Sequence, residues 1–245
     1  MRRVAWRDLL AEVYRPGVSV GLPVRRGLGP DVMLARHAAG DRDTAVSAGL
    51  VAAASARVGL AAGAFDLANA ALDAVTVPTN TPETMQRAGF LALRRSVVAA
   101  ANGQPNDLNG SVEYATDLAG RTGEGNAYGL GFGPIKVGLY LMAGLLEVGD
   151  NERAAALAES LTPEAHVNRS GQAAYWADYG RALARMRGRQ PDAVMALRRA
   201  ELISPHRIQR GPVIREVLAE LVARSKRDAV GRELRGMAYR AGLPV

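Results

Sequence analysis

Glu147-Val148-Gly149-Asp150-Asn151-Glu152-Arg153-Ala154 and Met186-Arg187-Gly188-Arg189-Gln190-Pro191-Asp192-Ala193 share one arrangement, a turn glycine followed five residues later by alanine, and Ala61-Ala62-Gly63-Ala64-Phe65-Asp66-Leu67-Ala68 repeats it. Glycine adopts the positive φ that ends a helix without steric cost. The alanine, one turn into the next helix, lets the second helix lie close against the first. Each stretch therefore reads as the elbow of a helix pair. Gly29 and Gly103 occupy the same place in two weaker units, so the elbows fall 34, 40, 46 and 39 residues apart.

Self-similarity at such a period is the signature of an array of stacked helix pairs. These elbows resemble the tetratricopeptide repeat, whose period the first spacing equals. Pro205, in Ala200-Glu201-Leu202-Ile203-Ser204-Pro205, falls where that repeat has the proline that stops its second helix. The fold class expected is all-α, a tetratricopeptide-like helical-repeat solenoid forming a single domain over residues 1–245. Its units turn near Gly29, Gly63, Gly103, Gly149 and Gly188, and capping helices close it over 212–241. Helices are expected near 3–14, 31–38, 42–61, 65–76, 82–101, 107–121, 134–148, 151–160, 170–187, 191–203, 212–225 and 228–241. Tyr14 to Pro30 holds too many helix breakers for a secure helix. Gly120 to Pro134, with six glycines and a closing proline, reads as a long mobile loop.

Composition agrees with helices. The 245 residues are 48% apolar and only 5% aromatic, and Ala, Leu, Arg and Glu, which lose least on entering a helix, are abundant. The absence of cysteine excludes a disulfide framework, a thiolate metal site and a cysteine nucleophile, and fits a reducing cytoplasm. Arg7 and Asp8 interrupt the apolar segment an export signal would need. The best uncharged apolar stretch, Val137 to Leu146, is half the length that crosses a bilayer, so no membrane span is expected. Charge is uneven: from Arg181 to Val245 there are 15 Lys/Arg against 6 Asp/Glu, net +9, which leaves 16 against 18 in the rest.

No catalytic motif emerges. Gly123-Glu124-Gly125-Asn126-Ala127-Tyr128-Gly129-Leu130-Gly131-Phe132-Gly133 invites comparison with a phosphate-binding loop, but a helix precedes it and no Gly-Lys-Ser/Thr ending follows. His37, His166 and His206 have no partner at metal-ligand spacing. His166 and His206 sit beside helix ends, where exposed histidines are common. Asp41 and Asp43 read as helix caps. The chain is read as a non-enzyme that needs no cofactor.

In helical repeats the first helices line a concave groove. With the glycines as register, that surface takes Arg57 from one unit, Phe90 and Arg94 from the next, then Lys136, Tyr140 and Glu147, and finally Tyr175, Asp178 and Arg185. Its mixed charge and scattered aromatics suit an acidic or amphipathic peptide, a protein partner or a small polar effector, and are compatible with a homodimer. The basic C-terminal residues Arg224, Lys226, Arg227, Arg232, Arg235 and Arg240 offer a second reading, electrostatic contact with nucleic acid, although only Tyr239 is interleaved with them. The plainer reading is a solvated capping face over buried Leu218, Leu221, Val222, Leu234 and Met237.

Leu9-Leu10-Ala11-Glu12-Val13-Tyr14, the unit ending at Gly63, Phe132-Gly133-Pro134 followed by Val137, Glu147-Val148-Gly149-Asp150 and the Arg-rich closing helices together resemble the tetratricopeptide region of actinobacterial helix-turn-helix (Xre-type) transcriptional regulators. The resemblance implies a sensory or protein-interaction module. The family's N-terminal DNA-binding domain has no counterpart in these residues, the repeat region being expected to begin at residue 1. Pro16 to Pro30 departs from the helix the family would have there.

Overall fold

The computed structural model describes residues 44–245 apart from 103 and 148. The helices expected at 3–14 and 31–38, the elbows at Gly29 and Gly103, and His37, Asp41 and Asp43 lie outside those residues. Among the described residues there are eleven α-helices and no strand: α1 Thr44–Ala62, α2 Phe65–Asp73, α3 Pro82–Asn102, α4 Pro105–Thr122, α5 Pro134–Glu147, α6 Asn151–Glu159, α7 Arg169–Ala184, α8 Gln190–Ile203, α9 Pro205–Arg210, α10 Pro212–Arg224 and α11 Ala229–Arg240. Short 3₁₀ turns at Ala127–Gly129 and Pro163–Ala165 join them. The chain divides into two compact units, Met1–Val137 and Gly138–Val245, with the division inside α5.

In the first unit α1 packs on α2 and α3 on α4; in the second, α7 packs on α8 and α10 on α11. The elbows are built as their sequence implies. Gly63, Gly149 and Gly188 have φ of 73°, 80° and 79°, and the alanines five residues on, Ala68, Ala154 and Ala193, are completely buried. At the first elbow Ala64 N–H donates to Gly59 O at 2.8 Å, and at the second Asp150 N–H donates to Leu145 O at 2.9 Å. These bonds satisfy carbonyls that a helix end otherwise leaves orphaned. Asp150 also accepts from Arg153 N–H and so caps α6.

Small residues set the helix separations. A Cβ on Gly180 would lie 2.7 Å from Leu197 Cγ, so α7 and α8 approach more closely there than any side chain permits. Leu197 and Leu183 are fully buried at this contact. Leu218, Leu221, Leu234 and Met237 are buried between α10 and α11, while Val222 is only half-buried.

Pro205 differs from expectation in one respect. α8 does end at Ile203, but Pro205 then opens α9 as its first residue. The ring that cannot continue a helix is well suited to start one, because its fixed φ is helical and the missing N–H would have been orphaned.

Candidate functional site

The glycine-rich segment is more structured than a long mobile loop. Gly120 belongs to α4, and residues 123–133 form a tight hairpin closed by a single bridge, in which Gly125 N–H donates to Phe132 O at 2.9 Å. Inside it Asn126 Oδ1 accepts from Gly131 N–H at 3.1 Å. Two side chains fasten the hairpin to α3. Gln86 Oε1 accepts from Ala127 N–H at 3.0 Å, and the fully buried Phe132 ring occupies the gap above Gly89. At its far end Glu124 Oε1 accepts from Ile135 N–H at 2.7 Å, satisfying a donor of the first turn of α5. Burial pushes the Glu124 carboxyl above its ordinary range, against the opposing pull of that hydrogen bond and of the Lys136 charge.

Beneath the hairpin lies Arg87 of α3, only 2% exposed, with Nε and Nη1 buried and without a hydrogen-bond partner. Its stem passes Gly49 of α1, where an added Cβ would stand 3.0 Å from Arg87 Cδ. Its guanidinium carbon is 5.4 Å from the ring centroid of Tyr128. Tyr128 is exposed and, among the described residues, is the one non-glycine with positive φ, 55°, a conformation that aromatic side chains rarely adopt. A cation–π contact of this kind is worth roughly 0.5–2 kcal/mol. The desolvation of a buried ion is several kcal/mol. An arginine cannot escape that cost by losing its proton. Among the described residues the magnitudes leave the charge of Arg87 undercompensated.

The residues singled out from sequence are distributed as follows. Phe90 and Arg94 are brought together on α3, both 8% exposed, with the Arg94 guanidinium carbon 4.9 Å from the Phe90 centroid. Lys136 is half-buried and Tyr140 buried on α5. Tyr175 is buried on α7 and its hydroxyl donates to Ala158 O at 2.8 Å; burial, with the neighbouring Tyr179 and the carboxylates of Glu164 and Glu159, pushes its pKa up to about 12. Asp178 is buried and paired with Arg181 at 3.0 Å. Arg185 is exposed at the end of α7. The side chains of Arg57 and Glu147 are outside the described residues. The Phe90–Arg94 pair is thus a close-packed feature next to Arg87, one helical turn away. Arg87, Phe90 and Arg94 stand at i, i+3 and i+7, the spacing of one helix face; that spacing was the available signal for Arg87, whereas nothing in the sequence marks Tyr128.

In the second unit Tyr175, Trp176 and Tyr179 cluster with centroids 5.0–6.3 Å apart, and Arg199 lies 4.1 Å above the Trp176 ring while pairing with Glu164. The cluster is thereby roofed by its own chain. Of the six basic C-terminal residues, Arg240 is held by two hydrogen bonds to the buried Glu201, Arg235 reaches Ser225 and Lys226 O, and Arg224 reaches Glu220 and Ala184 O. Lys226, Arg227 and Arg232 are exposed. An open cleft of about 430 Å³ between α2, α3 and α4 is lined by Asn69, Asp73, Arg95, Ala99, Gln104, Gly110 and Ser111; there Arg95 already donates to Leu72 O at 2.6 Å and lies 3.4 Å from Asp73.

His206 is exposed, but His166 is buried, because Gly171 leaves room for its ring: a Cβ there would be 2.2 Å from His166 Cε1. His166 Nδ1 accepts from Asn168 N–H at 3.1 Å. Among the described residues no three His, Cys, Asp or Glu side chains group as a metal site, and no helix is long and apolar enough to cross a membrane.

No family model, curated protein or solved structure matches this chain.

Proposed function

We propose that this chain is a non-catalytic recognition module: a tetratricopeptide-like helical-repeat solenoid, similar to the effector region of a bacterial transcriptional regulator, that works in the cytoplasm by binding a peptide, a protein partner or a small molecule. The observation that carries this reading is the docking of the glycine-rich hairpin on α3 through Gln86 and Phe132. It couples a surface segment to a helix that bears buried cationic and aromatic groups, so a ligand at α3 has a structural element to act upon. The mechanism is a shift between docked and released hairpin, biased by whichever state the ligand binds more tightly. Support for the repeat architecture comes from the shared geometry of the Gly63, Gly149 and Gly188 elbows.

The test is capture from native lysate by the purified chain, with bound proteins and small molecules both identified by mass spectrometry. Arg185→Ala is the comparison, since that side chain is exposed and its loss leaves the core intact. A molecule retained by the native chain and lost on this substitution supports a recognition surface at the α7 end. Equal retention by both chains removes the α7 end from the surface and leaves α3 as the site; no retained molecule with either chain overturns the reading.

A further inference from the structure

We propose that Arg87 anchors a site for a small oxyanion, a carboxylate or a phosphate group, in the first unit, and that the Tyr128 ring is its displaceable cover. The inference deepens the recognition reading by naming a ligand chemistry, and rests on it.

Arg87 is almost wholly buried, two of its nitrogens have no hydrogen-bond partner, and its guanidinium faces the Tyr128 ring. A buried arginine normally faces a carboxylate or a ring of carbonyls, because uncompensated charge in a low-dielectric interior is expensive. Here, among the described residues, the partner is the negative face of a tyrosine ring, a weaker attraction than a carboxylate in contact would give. The planar fork of an arginine fits the two oxygens of a carboxylate or phosphate in one plane.

The cover can leave without disturbing the core. Tyr128 is exposed, and it sits at the tip of a hairpin whose attachments, Gln86 to Ala127 and Phe132 to Gly89, flank the ring without including it. Its backbone holds an unfavourable left-handed φ, a cost that falls away if the residue is released. The close approach of Gly49 to Arg87 Cδ leaves the stem no room to withdraw on the α1 side. The cation is therefore fixed while its partner is exchangeable, which is the arrangement of a binding site rather than of a structural ion pair.

The experiment is thermal unfolding of the full chain at constant ionic strength, with chloride replaced stepwise by inorganic phosphate in one arm and by succinate in the other. Amide shifts of Tyr128, Gly129 and Gly131 are followed in parallel by NMR. The native chain is expected to gain stability and to shift these amides saturably in at least one arm. A response confined to phosphate identifies a phosphate ester as the natural ligand class, a response confined to succinate an organic acid. Arg87→Met should unfold at a higher temperature than the native chain without anion, since it removes an unpaired buried charge, and should respond to neither anion. Tyr128→Asn keeps a residue tolerant of the left-handed backbone and removes the competing ring, so its anion affinity should rise about two- to thirty-fold. No response of the native chain in either arm overturns the proposal, as does an Arg87→Met chain that responds like the native one, or a Tyr128→Asn chain that binds more weakly. If the anion arms fail while lysate capture depends on Arg185, the recognition reading stands and only the Arg87 site is lost.

Discussion

Replacing Gly89 by alanine should release the hairpin from α3. The new Cβ would lie 2.1 Å from Phe132 Cζ and 2.7 Å from Cε1 and Cε2, so methyl and ring must separate by about 1.3 Å to reach ordinary contact at 3.4 Å. Phe132 is fully buried and has no slack to take up that movement. Overpacking of this size costs about 1–3 kcal/mol, and full expulsion of the ring forfeits a similar amount of burial. Against it stands the helix preference of alanine over glycine, up to about 1 kcal/mol. The net is a destabilisation of about 1–2 kcal/mol, concentrated in residues 123–133. Hydrogen exchange read by mass spectrometry should show the hairpin peptides opening about tenfold more often, with the α7 and α8 peptides as an unaffected internal reference. In a Phe132→Ala background the clash is gone and only the helix preference remains, so Gly89→Ala should there become stabilising. This reversal of sign is the decisive result: unchanged hairpin exchange in the native background, or the same destabilisation in both, would refute the packing argument.

Arg240→Ala should cost about 1–2 kcal/mol in urea unfolding, a figure reduced because Arg240 is itself 39% exposed and Arg198 remains 2.6 Å from Glu201. Burial pushes the Glu201 carboxyl up, but the hydrogen bonds from Arg240 and Arg198 outweigh it and hold the pKa below the ordinary value. Stability from this group is therefore present above the unfolded carboxylate range near pH 4.5 and is lost as pH falls through the lower folded value; the Arg240→Ala acid transition should move to higher pH. Tyr175→Phe should cost about 1 kcal/mol, the worth of the bond to Ala158 O. Because the Tyr175 pKa is raised to about 12, its contribution is intact below pH 10 and fades above it, which absorbance of ionised tyrosine reports directly in the Tyr175→Phe difference. For nucleic acid, a chain changed to alanine at Lys226, Arg227 and Arg232 should bind duplex DNA at low salt no more weakly than the native chain; a steep loss, together with a steep salt dependence, would make the exposed C-terminal cations a genuine interface.

Every helix expected within the described residues is present to within a few positions, because helix limits are set by neighbours in sequence: propensity, a capping Asp150, a glycine able to take positive φ. α9 has no signal in the sequence, because six residues carry too little periodicity to outweigh Pro205. The glycine-rich segment reads as a long mobile loop because its glycines dominate the composition, while its attachment depends on Gln86 and Gly89 of α3, some forty residues earlier in the chain, meeting Ala127 and Phe132. Burial was equally hidden: Phe90, Tyr140, Tyr175 and Asp178 are buried, whereas Arg185 at the end of α7 is exposed.

Within the described residues the sequence by itself determined an all-helical chain and the positions of the elbows at Gly63, Gly149 and Gly188, since a glycine five residues before an alanine carries its own conformational instruction. What it left open, and tertiary structure alone decided, was which charges are compensated. Arg87 and Arg240 are the same side chain in sequence, and they differ in what distant parts of the fold bring to them: an aromatic ring from the hairpin over Arg87, and for Arg240 a carboxylate from α8. Compensation of a buried charge is a property of three-dimensional neighbours, because electrostatic energy depends on distance and dielectric and not on separation along the chain.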